Sequence, residues 1–146
     1  FRSHRCDRYG NCQIDGTTME DVELARAAKR LIITTEKIVD DDVITSEPGR
    51  TVIPHFIVDA VVESPNGSHP GNMPGLYYSD EGHMAEWLSL SRSDEGVKEY
   101  MSRYVYGVED FEEYLGLIGG EERMEYLAKL ERLEVSLDAP WSRRGK

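Results

Sequence analysis

The chain has 146 residues, of which 31% are charged and 39% hydrophobic, with 28 acidic against 17 basic side chains and a formal net charge of −11. That length suits one domain with a real core, and the composition excludes wholesale disorder. No apolar run approaches the ~20 residues of a membrane-spanning helix, and an acidic surface repels phosphate backbones, so neither a membrane nor a nucleic acid is an expected partner.

Phe1 to Cys6 reads as extended, Asp7-Arg8-Tyr9-Gly10-Asn11 as a turn, and Cys12 to Asp15 as extended again: two strands flanking a loop. Residues 1–30 hold six basic and five acidic groups, so this end is the less acidic one and an anionic ligand would be met here or at a helix N-terminus. Cys6 and Cys12 are too few and too close for a disulfide framework. The expectation is reduced thiols and a cytoplasmic protein with no secretory segment. The chain opens on Phe1 rather than on methionine, which leads us to expect a fragment or a processed chain.

Thr17 and Glu20 fit a capping box for a helix running to about Lys29. Leu31 to Thr35 is a β-branched buried strand, and Asp40 to Ser46 a short helical turn stopped by Pro48-Gly49. Phe56 to Glu63 is apolar and β-branched and predicts a second buried strand. The alternation of helices and strands implies a parallel crossover, hence an α/β fold.

The strand leads into Pro65 to Gly75, with three prolines and three glycines in eleven residues, which propagate neither helix nor central strand. In open α/β sheets, ligands bind at the carboxyl ends of strands, where this loop begins. Beyond it the character changes to amphipathic helices. Ser79 is the expected cap of the first, with Met84, Trp87 and Leu88 at helical spacing. Ser93 caps a second ending at Gly107, Asp110 to Ile118 makes a third, and Glu121 to about Glu134 a fourth on Met124, Leu127 and Leu130. The fifteen acidic residues between Ser79 and Glu134 read as solvated helix faces. The organisation expected is a single piece over 1–134 and a flexible tail over 135–146.

Few residues stand out for chemistry. His69 sits in the Gly/Pro-rich loop, either as a pocket-facing hydrogen-bonding group or as a loop histidine that bonds a backbone carbonyl. His4, Cys6, Asp7 and Cys12 match no zinc spacing, so no metal site is expected. His55 and His83 are assigned no role. Asn66-Gly67-Ser68 is a chance glycosylation sequon. There is no nucleophile elbow, P-loop or dinucleotide fingerprint. Asp59 and Glu63 are the two carboxylates in or beside an apolar strand, and Asp59 reads as a hydrogen-bond acceptor between elements.

Three stretches, DVELARAAKRLIITTEKIVD, IPHFIVDAVVESPNGSHPGNMPGLYY and YVYGVEDFEEYLGLIGG, resemble in order the family I CoA-transferases, and specifically the alpha subunit of the glutaconate CoA-transferase type. The resemblance runs from about Ser3 to Leu133 and covers the C-terminal half of such a protein. The family loop Gly-Ala-His-Pro stands here as Gly67-Ser68-His69-Pro70. The resemblance implies a parallel-sheet, NagB/RpiA-like α/β fold fragment followed by several amphipathic helices. It also implies ping-pong transfer of CoA from an acyl-CoA to a carboxylic acid through a glutamyl-CoA thioester. In that family the glutamate belongs to the beta subunit, so the chain is expected to hold no catalytic nucleophile and no permanently bound cofactor. Its substrate is a CoA thioester and its partner a beta subunit in a hetero-oligomer. Substrate-binding parts are expected at Gly67, Ser68, His69 and Asn72 and at Asn11. Alternatives are a CoA-thioester or ring-cleaving hydrolase subunit on the same scaffold, and a non-catalytic interaction fragment.

Overall fold

The computed structural model describes residues 1–136. The chain divides into two compact units, Phe1–Ser68 and His69–Lys146.

The first unit is built on a five-stranded sheet: β1 (Arg2–Cys6), β2 (Cys12–Gln13), β3 (Ile32–Ile38), β4 (Thr51–Ile53) and β5 (Ala60–Glu63), in the order β4-β2-β1-β3-β5. β1, β3 and β5 run parallel, with Ser3 opposite Thr35 and Thr35 opposite Glu63. β2 turns back antiparallel to β1 and β4 adds to it. The helices α1 (Asp21–Ala27) and α2 (Asp41–Ser46) supply the connections, and Ala25, Leu31, Ile33 and Ile53 pack with the two cysteines into one core.

Several expectations are corrected here. The Thr17–Glu20 capping box does not form: α1 begins at Asp21 with Glu20 at its cap position and no side-chain cap bond, and Asp21 instead accepts from the Met19 amide. The second strand is not Phe56–Glu63 and is not buried. Residues His55–Ile57 make a 3₁₀ turn, and β5 lies at the edge of the sheet with Val62 48% exposed. An edge strand has one neighbour, which is why its apolar residues stay open on the other side. The three-residue strand β4 is an addition to the elements expected from the sequence. Cys6 and Cys12, opposite each other across β1 and β2, are joined by a disulfide and fully buried, overturning the expectation of two reduced thiols.

In the second unit the Pro/Gly-rich loop folds onto itself. The Asp80 amide donates to the Pro70 carbonyl, and Met73 and Tyr77 pair in a short antiparallel bridge whose side chains plug a core of Met124, Leu127 and Leu130. The His69–Pro70 bond within it is cis. Four helices follow: α3 (Glu81–Leu90), α4 (Asp94–Tyr104), α5 (Phe111–Leu117) and α6 (Gly120–Glu131). Ser93 and Asp110 cap α4 and α5 as their sequence positions predict, accepting from the amides of Gly96 and Glu113. The cap of α3 is Asp80, not Ser79. Val135 packs on the second core, and the rest of the expected tail, 137–146, lies outside the described residues.

Candidate functional site

In the first unit, the turn after β1 is organised by Asp7. Its Oδ1 accepts from the amides of Tyr9, Gly10 and Asn11 at 2.9–3.0 Å, and its Oδ2 from Asn11 Nδ2 at 2.7 Å. Asn11 Oδ1 in turn accepts from the His55 amide at 3.0 Å. Both ends of the Asn11 amide are therefore engaged in holding this turn. Gly10, with φ +103°, sits under Val58, where a Cβ would approach the valine to 3.0 Å.

At the carboxyl end of β5, Arg2 of β1 reaches across the sheet, pairs with Glu36 of β3 and donates to the Ser64 carbonyl at 2.8 Å. Glu36 also accepts from the amide of Asn66, itself at φ +62°. Gly67 lies in the resulting corner: a Cβ there would stand 2.6 Å from both Arg2 Nη1 and Ser64 Oγ, so only glycine fits. Half-buried Ser68 follows directly. Asp59 acts as the acceptor expected of it, taking the Leu31 amide and Arg30, which together hold its carboxyl below the ordinary value. Asp59 and Glu63 are, however, both exposed; the buried aspartates are Asp7 and Asp80.

In the second unit the centre is Asp80, 2% exposed. Arg123 of α6 grips it with Nε at 2.9 Å and Nη2 at 2.6 Å, the His83 amide donates to it at 3.0 Å, and His69 Nε2 lies 3.1 Å away. Burial works to raise its pKa, but the bonds from Arg123, His69 and His83 outweigh that and hold the carboxyl far below the usual range. An ionised Asp80 takes the proton of His69 Nε2, which in the neutral ring leaves Nδ1 as an acceptor for the Tyr114 hydroxyl at 2.6 Å. His69 thus bonds two side chains rather than a backbone carbonyl. His83, to which sequence reasoning assigns no role, is equally buried, holds the Tyr100 hydroxyl at 2.7 Å and lies edge-on to His69, 5.3 Å between ring centres. Tyr104 completes the cluster, donating to Glu86 at 3.0 Å. Burial, and then repulsion from Tyr100, Asp80 and Tyr104, raises the Tyr114 pKa, so its proton stays on.

A cavity of about 420 Å³ opens over this cluster, lined by buried His69 and Tyr104 and half-buried Val108 and Tyr114. The exposed residues Val105, Glu109, Asp110 and Phe111 complete it. Asn72 is exposed on the folded loop. Of the five residues singled out in the sequence, His69 is the one built into a cavity. Among the described residues, no group of three or more His, Cys, Asp or Glu is placed to hold a metal ion, and no helix is long and apolar enough to cross a membrane.

The fold and these sites have relatives. Residues 1–64 match the coenzyme A transferase family. A protein of Archaeoglobus fulgidus with no assigned function is 60% identical over 138 residues, 94% of this chain and 31% of the relative. The alpha subunit of glutaconate CoA-transferase from Acidaminococcus fermentans is 36% identical over 110 residues, 75% of this chain and 34% of the relative. The crystal structure of glutaconate coenzyme A-transferase from Acidaminococcus fermentans superposes with a TM-score of 0.82 at 32% identity, covering 86% of this chain and 39% of that one. The chain belongs to the family I coenzyme A transferases. Within the family its likeness is to the alpha subunit, and it spans about a third of the length of the relatives it matches.

Proposed function

We propose that this chain is part of the alpha subunit of an acyl-CoA:carboxylate CoA-transferase, lining the acyl-CoA pocket while the reactive glutamate is supplied by a beta subunit. The observation that carries this reading is the 36% identity to a glutaconate CoA-transferase alpha subunit across three quarters of the chain. The state of the buried carboxylates supports its second half. A nucleophilic carboxylate needs free lone pairs in a shielded setting. Asp7 engages its oxygens with three backbone amides and the Asn11 side chain, and Asp80 with Arg123, His69 and the α3 cap. Glu36 is bound by Arg2 and the Asn66 amide. Each is an anchor of the fold, and none is poised to attack a thioester.

On this reading the substrates are a CoA thioester and a free carboxylic acid, no cofactor is held permanently, and the work is done in the cytoplasm, where the buried Cys6–Cys12 bridge is shielded from soluble thiols. His69 is the substrate-facing residue we favour, with Gly67 and Ser68 shaping the approach at the end of β5 and Asn72 on the exposed loop. Asn11 contributes by fixing its turn. The test is reconstitution with a beta subunit, followed by acyl-CoA with and without a carboxylic acid. CoA transfer that requires the acid supports the reading. Turnover independent of the acid identifies a hydrolase or ring-cleaving enzyme, and no turnover identifies an interaction fragment.

A further inference from the structure

The cavity beside His69 has a one-sided hydrogen-bonding character. The Tyr114 hydroxyl has committed its proton to His69 Nδ1, so it offers only lone pairs. The Tyr104 hydroxyl has committed its proton to Glu86. Asp110 Oδ1 caps α5, and the remaining carboxylate oxygens of Asp110 and Glu109 are acceptors. Among the described residues, no lysine or arginine lines the cavity. The rest of the lining is Val105, Val108 and the rings of Phe111 and Tyr104. A carboxylate or phosphate here would meet acceptors and two like charges with no donor side chain to bind it, which is the arrangement that excludes anions.

A CoA ester has three chemically distinct parts: an anionic nucleotide end, an acyl group that in a dicarboxylic substrate is also anionic, and between them a neutral arm. That arm carries amide N–H and hydroxyl donors on an aliphatic chain, which matches an apolar cavity floored by acceptors. We propose that this cavity holds the pantetheine arm of the CoA ester, leaving the phosphates and any free carboxylate of the substrate to be met elsewhere. The proposal deepens the transferase reading and rests on it for the identity of the ligand. Tyr114 is then a binding residue, accepting an amide or hydroxyl proton, and His69 and Asp80 are positioning residues that fix which way its hydroxyl faces.

Titration of pantetheine into the 146-residue chain, followed by the ring signals of Tyr114 and Phe111, tests the proposal directly. Saturable binding centred on those rings is expected, with acetate and inorganic phosphate inert at the same concentrations. Val108→Phe, which fills the cavity without touching the Asp80 network, should weaken pantetheine at least about tenfold, the scale on which overfilling a packed site acts. Tyr114→Phe should weaken it about fivefold, the scale of one hydrogen bond. Leu88→Ser on the outer face of α3 should leave it unchanged. Absence of binding, equal binding by Val108→Phe, or a preference for butylammonium over pantetheine would each overturn the assignment, the last by making this a cation site. The two readings fail separately. Pantetheine binding in a reconstituted complex that transfers no CoA removes the transferase and leaves the cavity its ligand. Transfer with a KM for acyl-CoA indifferent to Val108→Phe removes the cavity and leaves the transferase.

Discussion

Asp7 and Asp80 are both buried carboxylates, 1% and 2% exposed, and each organises one unit, yet they draw their partners from opposite scales of the sequence. The groups that donate to Asp7 lie within four residues of it, so its turn closes locally as soon as Gly10 takes its positive φ. Asp80 collects an amide three residues on, an imidazole eleven residues back and a guanidinium 43 residues on. Its charge is balanced only when the loop, α3 and α6 have assembled. Local anchoring isolates a fault to one turn; distributed anchoring spreads it over a unit.

The largest effect should therefore fall on Asp80→Ala, which leaves Arg123 without its counter-charge and removes the α3 cap. A loss of about 3–5 kcal/mol is expected, the cost of breaking one side of a buried pair, read from urea unfolding. A loss confined to frayed amides of α3 would show that the network is not shared. Asp7→Ala should cost less, about 2–3 kcal/mol for stranded backbone amides, with hydrogen exchange accelerated around Tyr9–Asn11 and the sheet intact. Replacing both Cys6 and Cys12 by serine should cost about 2 kcal/mol, the loop-closure value for so short a span. An unchanged urea midpoint under oxidising conditions would mean that the bridge does not hold the turn.

A pH scan sharpens the contrast. Burial, and then the neighbouring His69, push His83 below its ordinary 6.5, so the fold favours the neutral ring. The unfolded chain takes up that proton first. Stability is accordingly whole above about 6.5 and declines as the pH falls below it. Asp80, depressed in the fold, adds a second loss as the pH falls below its unfolded value of 3.8. Urea midpoints of the second unit should drop between pH 7.5 and 5.5, and His83→Gln should flatten that slope. An equally steep slope in the variant would assign the proton uptake to another group. The smallest effect expected is Ser93→Ala, about 1 kcal/mol for one lost cap, visible as faster exchange in the first turn of α4.

The same difference in range explains what could be read in advance. The caps of α4 and α5, the apolar stripe of α6 and the turn at Asp7 are written within a few residues of one another and are legible in the sequence. β4 is three residues long and ends just before Pro54, too short for any periodicity to register. Phe56 to Val58 look like strand because they are apolar, but Ile57 and Val58 reach the first core from a 3₁₀ turn and its flank, while Phe56 stays 76% exposed. His69 stands out by its loop, yet Tyr114, His83 and Arg123 do not, because nothing in sequence ties partners 43 and 45 residues apart. The one available signal is Asp80 itself, an acidic residue at a helix start with a histidine three residues on.

The central claim is that the attacking carboxylate lies outside this chain, whose own buried carboxylates serve as anchors. Incubating the reconstituted complex with acyl-CoA, trapping the thioester or anhydride with hydroxylamine or borohydride and mapping the label by mass spectrometry addresses it most directly. The account predicts a single modified glutamate on the beta subunit and none on residues 1–146. A label on any side chain of this chain, above all on Asp7, Glu36 or Asp80, contradicts it.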